Sequence, residues 1–258
     1  MWKYGFASVV GTSHAGSSSP VQDSSRAEVV IDSGDGEILI AAASDGAGSA
    51  AQAETGSRLA CDLFVEEVKS HFAGNGTWPQ LADGFIESWI GKFQNLVAGR
   101  ADDEGLRVQD FACTLLAAVI GDECAAYFQI GDGAVVESRR DEKDHYRCVC
   151  WPQQGEYANT TNFLTDADAA GKAFQELKTD VVDEVALFTD GIQSLVLDYR
   201  AGAAHSPFFA PLFAWLRPRP GGYSQELSDA LATYLNSEKV NSRTDDDKTL
   251  ILASRRRH

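Results

Sequence analysis

Five aspartates stand beside strand-like apolar runs: Asp23, Asp45, Asp132, Asp190 and Asp246. Asp45 follows the run Ile38 to Ala43 and opens Asp45-Gly46-Ala47-Gly48. Asp132 lies in Ile130-Gly131-Asp132-Gly133, and Asp190 in Phe188-Thr189-Asp190-Gly191. A single Asp-Gly after a strand is ordinarily a turn. Three copies, each ending an apolar run, point further. Carboxylates beside glycine-freed carbonyls suit a hard cation that takes oxygen ligands, and no His/Cys cluster accompanies them, so the pattern favours Mg²⁺ or Mn²⁺ over zinc. Two such ions about 3.5–4 Å apart could share a bridging hydroxide and set it in line with a phosphorus atom. That chemistry is phosphoester hydrolysis without a protein nucleophile. The chain carries no Gly-x-x-x-x-Gly-Lys loop, Gly-x-Ser-x-Gly elbow or Cys-x5-Arg loop, which agrees with it.

The elements that must position these groups follow from periodicity. Lys3 to Val10 reads as a strand, and the Ser/Gly/Pro-rich Thr12 to Ser25 as a loop. Arg26 to Ile31 pairs with Glu37 to Ala43 across Asp32-Ser33-Gly34-Asp35-Gly36, a hairpin turn rather than a calcium loop. Two amphipathic helices are expected next. One begins near Ala51 and carries the stripe Leu59, Leu63, Phe64, Val68 and Phe72; the other runs from Pro79 to Gly99. Strands are expected over Phe111 to Ile120, Glu123 to Ile130, Ala134 to Arg139, Tyr146 to Trp151 and Glu184 to Thr189, with Asp141 to Asp144 a solvated turn and Gly155 to Asn162 a surface loop. A helix starts after Asp190-Gly191. Pro207 to Trp215 reads as core, Ser224 to Leu235 as a helix and Thr249 to Ala253 as the closing strand. Hairpin connections dominate, so the fold class is α+β with mostly antiparallel sheet.

The 258 residues show no linker-like composition shift, and residues 1–258 read as one domain. A formal net charge of −16 argues against nucleic acid or an anionic membrane as partner. Cysteines 61, 113, 124, 148 and 150 form no Cys-x-x-Cys pair and are expected as free thiols in a reducing, cytoplasmic setting; Cys148-x-Cys150 lacks further ligands for a metal. Neither a signal peptide nor an apolar run of about 18 residues is visible.

Asp45-Gly46-Ala47-Gly48, Ala112-Cys113-Thr114-Leu115-Leu116, Ile130-Gly131-Asp132-Gly133, Phe188-Thr189-Asp190-Gly191 and Asp246-Asp247-Lys248-Thr249 resemble, in this order, the motifs of the metal-dependent type 2C serine/threonine phosphatases. Gly11-Thr12-Ser13-His14, Val21-Gln22-Asp23 and Gly155-Glu156-Tyr157-Ala158-Asn159 are similar to the compact bacterial branch, whose members are often encoded near Ser/Thr kinases. The resemblance implies a four-layer α-β-β-α sandwich with two central, mostly antiparallel sheets. It also implies that Asp45 bridges two metals, with the Gly46 carbonyl on one of them, that Asp190 and Asp246 hold the other, and that Asp23 acts through coordinated water. Asp132 matches a position linked to a weaker third metal. An arginine that binds substrate phosphate in eukaryotic relatives has no counterpart ahead of Asp23. His14 is the candidate there, with a purely structural histidine as the alternative. Ser194 stands where the family often has another aspartate, which counts against a third ion. Trp151 through Lys178 corresponds to the flap of bacterial relatives, or to a loop covering a sheet edge. The implied function is hydrolysis of phosphoserine and phosphothreonine in phosphorylated proteins by a cytoplasmic, monomeric enzyme. A non-catalytic phosphoprotein- or kinase-binding regulator and a two-metal nuclease are the other classes considered.

Overall fold

The computed structural model of the chain describes all residues except 16–19, 33, 35, 155–160 and 257–258. The strands are β1 (Lys3–Val9), β2 (Ser24–Ile31), β3 (Glu37–Ser44), β4 (Leu115–Ile120), β5 (Ala125–Ile130), β6 (Ala134–Arg139), β7 (Arg147–Cys150), β8 (Phe174–Lys178), β9 (Val182–Phe188), β10 (Leu197–Asp198), β11 (Ala203–Ala204), β12 (Gly222–Tyr223) and β13 (Lys248–Ser254). The helices are α1 (Thr12–Ala15), α2 (Ala53–Ala73), α3 (Trp78–Ala82), α4 (Phe85–Glu104), α5 (Ala169–Lys172), α6 (Asp190–Val196), α7 (Ser206–Leu216), α8 (Gln225–Leu235) and α9 (Glu238–Asn241). One sheet has the order β12-β1-β13-β9-β6-β7, the other β2-β3-β4-β5-β8. Every pairing in them is antiparallel except that of β1 with β12.

The apolar runs are continuous because both faces of each central strand are covered. In β3, Leu39, Ala41 and Ala43 point into the layer between the sheets, while Ile38, Ile40 and Ala42 meet α2 and α4. In β13, Ile251 and Ala253 face the same central layer, and Leu250 and Leu252 meet α7 and α8. The two-residue period of a strand sends alternate side chains to two different cores. The result is the expected four-layer α-β-β-α sandwich. Pro207 to Trp215 forms α7, whose Phe209 and Phe213 are buried against the six-stranded sheet.

Several expectations are corrected by the structure. The second long helix is broken into α3 and α4, because Gly84 takes a left-handed conformation (φ 71°) between them, and α4 continues past Gly99 to Glu104. The strand expected from Phe111 starts only at Leu115, since Val108–Phe111 closes a 3-10 turn. Part of the stretch 151–178, expected as flap or loop, is β8, an edge strand paired with β5. Its side chains are all half-buried, so it lacks the clean alternation that would have marked it. Residues 155–160 of the expected surface loop lie outside the described residues. Asp144 lies in an exposed turn, as expected, and there also caps a buried ion pair: Arg217 donates to both oxygens of Glu184, at 2.8 and 2.9 Å, and to Asp144 Oδ1 at 2.7 Å. This network braces the start of β9, roughly 20 Å of extended strand away from Asp190.

Candidate metal centre

Antiparallel register brings the aspartates to one end of the sandwich. Asp45 follows the last residue of β3, and Asp23 precedes the first residue of β2, whose Ser24 is paired with Ser44. Asp190 follows β9 by two residues at the start of α6, and Asp246 lies just ahead of β13, where Leu250 is paired with Phe188. Asp132 sits in the turn from β5 to β6, which crosses from one sheet to the other. Gly131 adopts φ 110°, open to glycine and strained for other residues. Gln129, buried beneath this turn, donates its side-chain amide to the carbonyls of Gly131, Gly133 and Trp151.

One carboxylate oxygen from each of Asp45, Asp132 and Asp190 lies within 4.8 Å of the others. The group thus joins Asp132, which the resemblance assigned to a third ion, with Asp45 and Asp190. Asp246 is exposed on the rim, its Oδ1 accepting the Asp247 N–H at 2.9 Å. Asp23 is buried behind Asp45, and Thr189 Oγ1 donates to its Oδ2 at 2.7 Å. The Asp45 backbone is fixed on both sides, its N–H donating to Thr114 Oγ1 and its carbonyl accepting the Thr114 N–H. The side chain of His14 lies outside the described ones.

Crowded, poorly solvated carboxyls resist ionising. Burial raises Asp190 to about 8, helped by the fields of Asp132 and Asp246. Burial, then Thr189 and its other partners in opposition, leaves Asp23 at about 7. Asp45 is held well above the carboxylate range by burial and by Asp23 and Asp190, and Asp132 is raised by burial and by Asp246. Asp23 Oδ1 and Asp132 Oδ1 are buried with no hydrogen-bond partner. Concentrated negative charge, orphaned buried oxygens and an all-oxygen donor set fit hard divalent cations, which would neutralise the repulsion and occupy those oxygens.

Asp247 had no role assigned from sequence. It is buried, and its carboxylate accepts the backbone N–H groups of Gly11 and Gln22, both at 2.6 Å. The loop before β13 is thereby clamped to the segment leading to Asp23. The approach is close: a Cβ on Gly191 would lie 1.8 Å from the Asp247 carbonyl oxygen. A charged residue adjoining a buried strand was the available signal, masked by two neighbouring aspartates of similar appearance.

The family model described as protein phosphatase 2C matches residues 10–235. Serine/threonine-protein phosphatase 3 of Escherichia coli (strain K12) is 34% identical over 252 residues, covering 98% of this chain and 98% of that protein. The crystal structure of serine/threonine phosphatase Stp1 from Staphylococcus aureus superposes with a TM-score of 0.64 at 16% identity, over 99% of this chain and 96% of that one. A structure of RsbX in complex with magnesium superposes with a TM-score of 0.55 at 17% identity, over 96% and 92% of the two chains.

Proposed function

The chain belongs to the protein phosphatase 2C family, and from that membership we propose that it hydrolyses phosphoserine and phosphothreonine in proteins with Mn²⁺ or Mg²⁺ held at its carboxylate group. The convergence of Asp45, Asp132 and Asp190 within 4.8 Å is the observation that carries the reading. Those three residues, with Asp246 at the rim and the Gly46 carbonyl, would hold two ions, and the magnesium of the RsbX structure is in keeping with this choice. Bound there, the ions supply Lewis-acid charge that polarises a phosphoryl oxygen and acidifies water.

The protein's own part is positioning. Thr114 fixes the Asp45 backbone, so its carboxylate enters the site from a rigid strand end rather than a loop. Thr189 orients Asp23 and leaves its Oδ1 free to accept a hydrogen bond from within the site. Asp247 keeps the segment carrying Asp23 against the loop carrying Asp246. His14 is kept, on the resemblance alone, as the candidate for the phosphate side, with a purely structural histidine as the alternative. We read residues 1–258 as one domain, supported by the pairing of β1 with β13, and as a cytoplasmic monomer acting on the products of Ser/Thr kinases, among them a kinase encoded nearby. Among the described residues no helix is long and apolar enough to cross a membrane.

Phosphate release from a phosphothreonine peptide, measured with Mn²⁺, with chelator and in Asp45→Asn, tests the reading. Turnover should require metal and should fall in the variant by more than the roughly 100-fold typical of changes to outer-shell partners. A folded wild-type protein inactive with every divalent cation would overturn it.

A further inference from the structure

In this acidic protein nearly every described Lys and Arg side chain is engaged in an ion pair or a hydrogen bond to a carbonyl. Among the described residues the exceptions are Lys143, Arg200, Lys239 and Arg243. Three of these four line two neighbouring open depressions, taken together as one groove. The two clefts, of 410 and 320 Å³, share Leu195 and His205. The first begins at Ser194 on α6, one turn after Asp190, and includes Tyr199 and Arg200 on the β10–β11 hairpin. The second carries Lys239 and Arg243 above Phe208 and Tyr234. Asp198 also lines the first cleft, but its Oδ1 is committed to the backbone N–H groups of Arg200 and Ala201.

The groove opens beside the metal centre. Tyr199, whose ring packs edge-on against Trp151, has its phenol raised by partial burial and by the fields of Asp190 and Asp132. A formal net charge of −16 gives the rest of the surface little attraction for an anion. Cations left without internal partners along one groove reverse that locally, which is how charge selects a binding partner and fixes its register.

We propose that this groove seats an acidic stretch of the protein substrate flanking the phosphorylated residue, held by Arg200, Lys239 and Arg243 over Phe208 and Tyr234. The proposal rests on the phosphatase reading and defines its substrate class more narrowly. The aromatic floor contacts the peptide backbone and aliphatic parts, and the cations take the carboxylates in place of water.

The test compares wild type with Lys239→Glu/Arg243→Glu and with Lys239→Ala/Arg243→Ala, all exposed positions. Three readouts are taken: turnover of p-nitrophenyl phosphate, which reaches only the metal centre; kcat and KM for phosphothreonine peptides with glutamates on one side, on the other side, or absent; and fluorescence anisotropy of the labelled, unphosphorylated glutamate peptides. The expected result is a wild-type preference for a glutamate peptide and a roughly tenfold rise in its KM in the alanine pair. The rise is larger in the glutamate pair, kcat and p-nitrophenyl phosphate turnover are kept, and anisotropy binding falls in parallel. Equal kcat/KM for acidic and neutral peptides, equal losses on both in the variants, or tighter binding of a single-stranded oligonucleotide than of the acidic peptide would overturn the proposal. Absent turnover with groove-dependent peptide binding would instead overturn the catalytic reading and uphold the groove.

Discussion

Replacing Asp190 by asparagine should stabilise the metal-free protein at alkaline pH while removing its response to metal. Burial and the neighbouring carboxylates push this carboxyl from its ordinary value of 3.8 up to about 8. A carboxyl raised in this way binds more protons folded than unfolded between roughly pH 4 and 8. Its contribution to stability is therefore complete below the unfolded value and is lost as pH rises through the folded one. At about 1.4 kcal/mol for each pH unit, full ionisation costs the metal-free fold on the order of 6 kcal/mol. Burial is the largest part of that cost and the fields of Asp132 and Asp246, shared among the carboxyls, come after it, so substitution at one position should return about 2–3 kcal/mol, or roughly 5–10 °C in Tm for a chain of this size. Thermal melts in EDTA at pH 6 and pH 8.5, with and without Mn²⁺, provide the assay. The wild type should lose stability between the two pH values in EDTA and regain it with Mn²⁺, most at pH 8.5. Asp190→Asn should melt above wild type in EDTA by more at pH 8.5 than at pH 6, and hardly move with Mn²⁺. A variant less stable than wild type in EDTA at pH 8.5, or an offset independent of pH, would refute the reasoning.

Asp247→Ala leaves the buried N–H of Gly11 and the half-buried N–H of Gln22 without an acceptor and should cost about 2–4 kcal/mol in chemical denaturation, with weakened Mn²⁺ binding by calorimetry. Arg217→Ala leaves buried Glu184 with Arg256, at 3.6 Å, as its remaining cation and should cost about 3 kcal/mol, while the affinity for Mn²⁺ of the folded variant stays within about twofold of wild type. Loss of metal binding in folded Arg217→Ala would contradict the separation of that network from the site.

Much of this protein was determined by local sequence. The apolar run Ile38 to Ala43 specifies a strand through residue type and length, and the stripe from Leu59 to Phe72 specifies α2 through its helical period. The terminal position of Asp45, Asp132 and Asp190 was legible because each directly follows or closely trails such a run. What the tertiary structure decided is whatever depends on distance across the sheets. Which three carboxylates converge follows from the register of β9 with β6 and from the crossing of the β5–β6 turn between sheets, and no local spacing encodes either. β8 was invisible because an edge strand with half-buried side chains has no strong period. Asp247 and Asp246 are chemically identical neighbours; only folding, by burying one against Gly11 and Gln22 and exposing the other, makes the first a clamp and leaves the second on the rim.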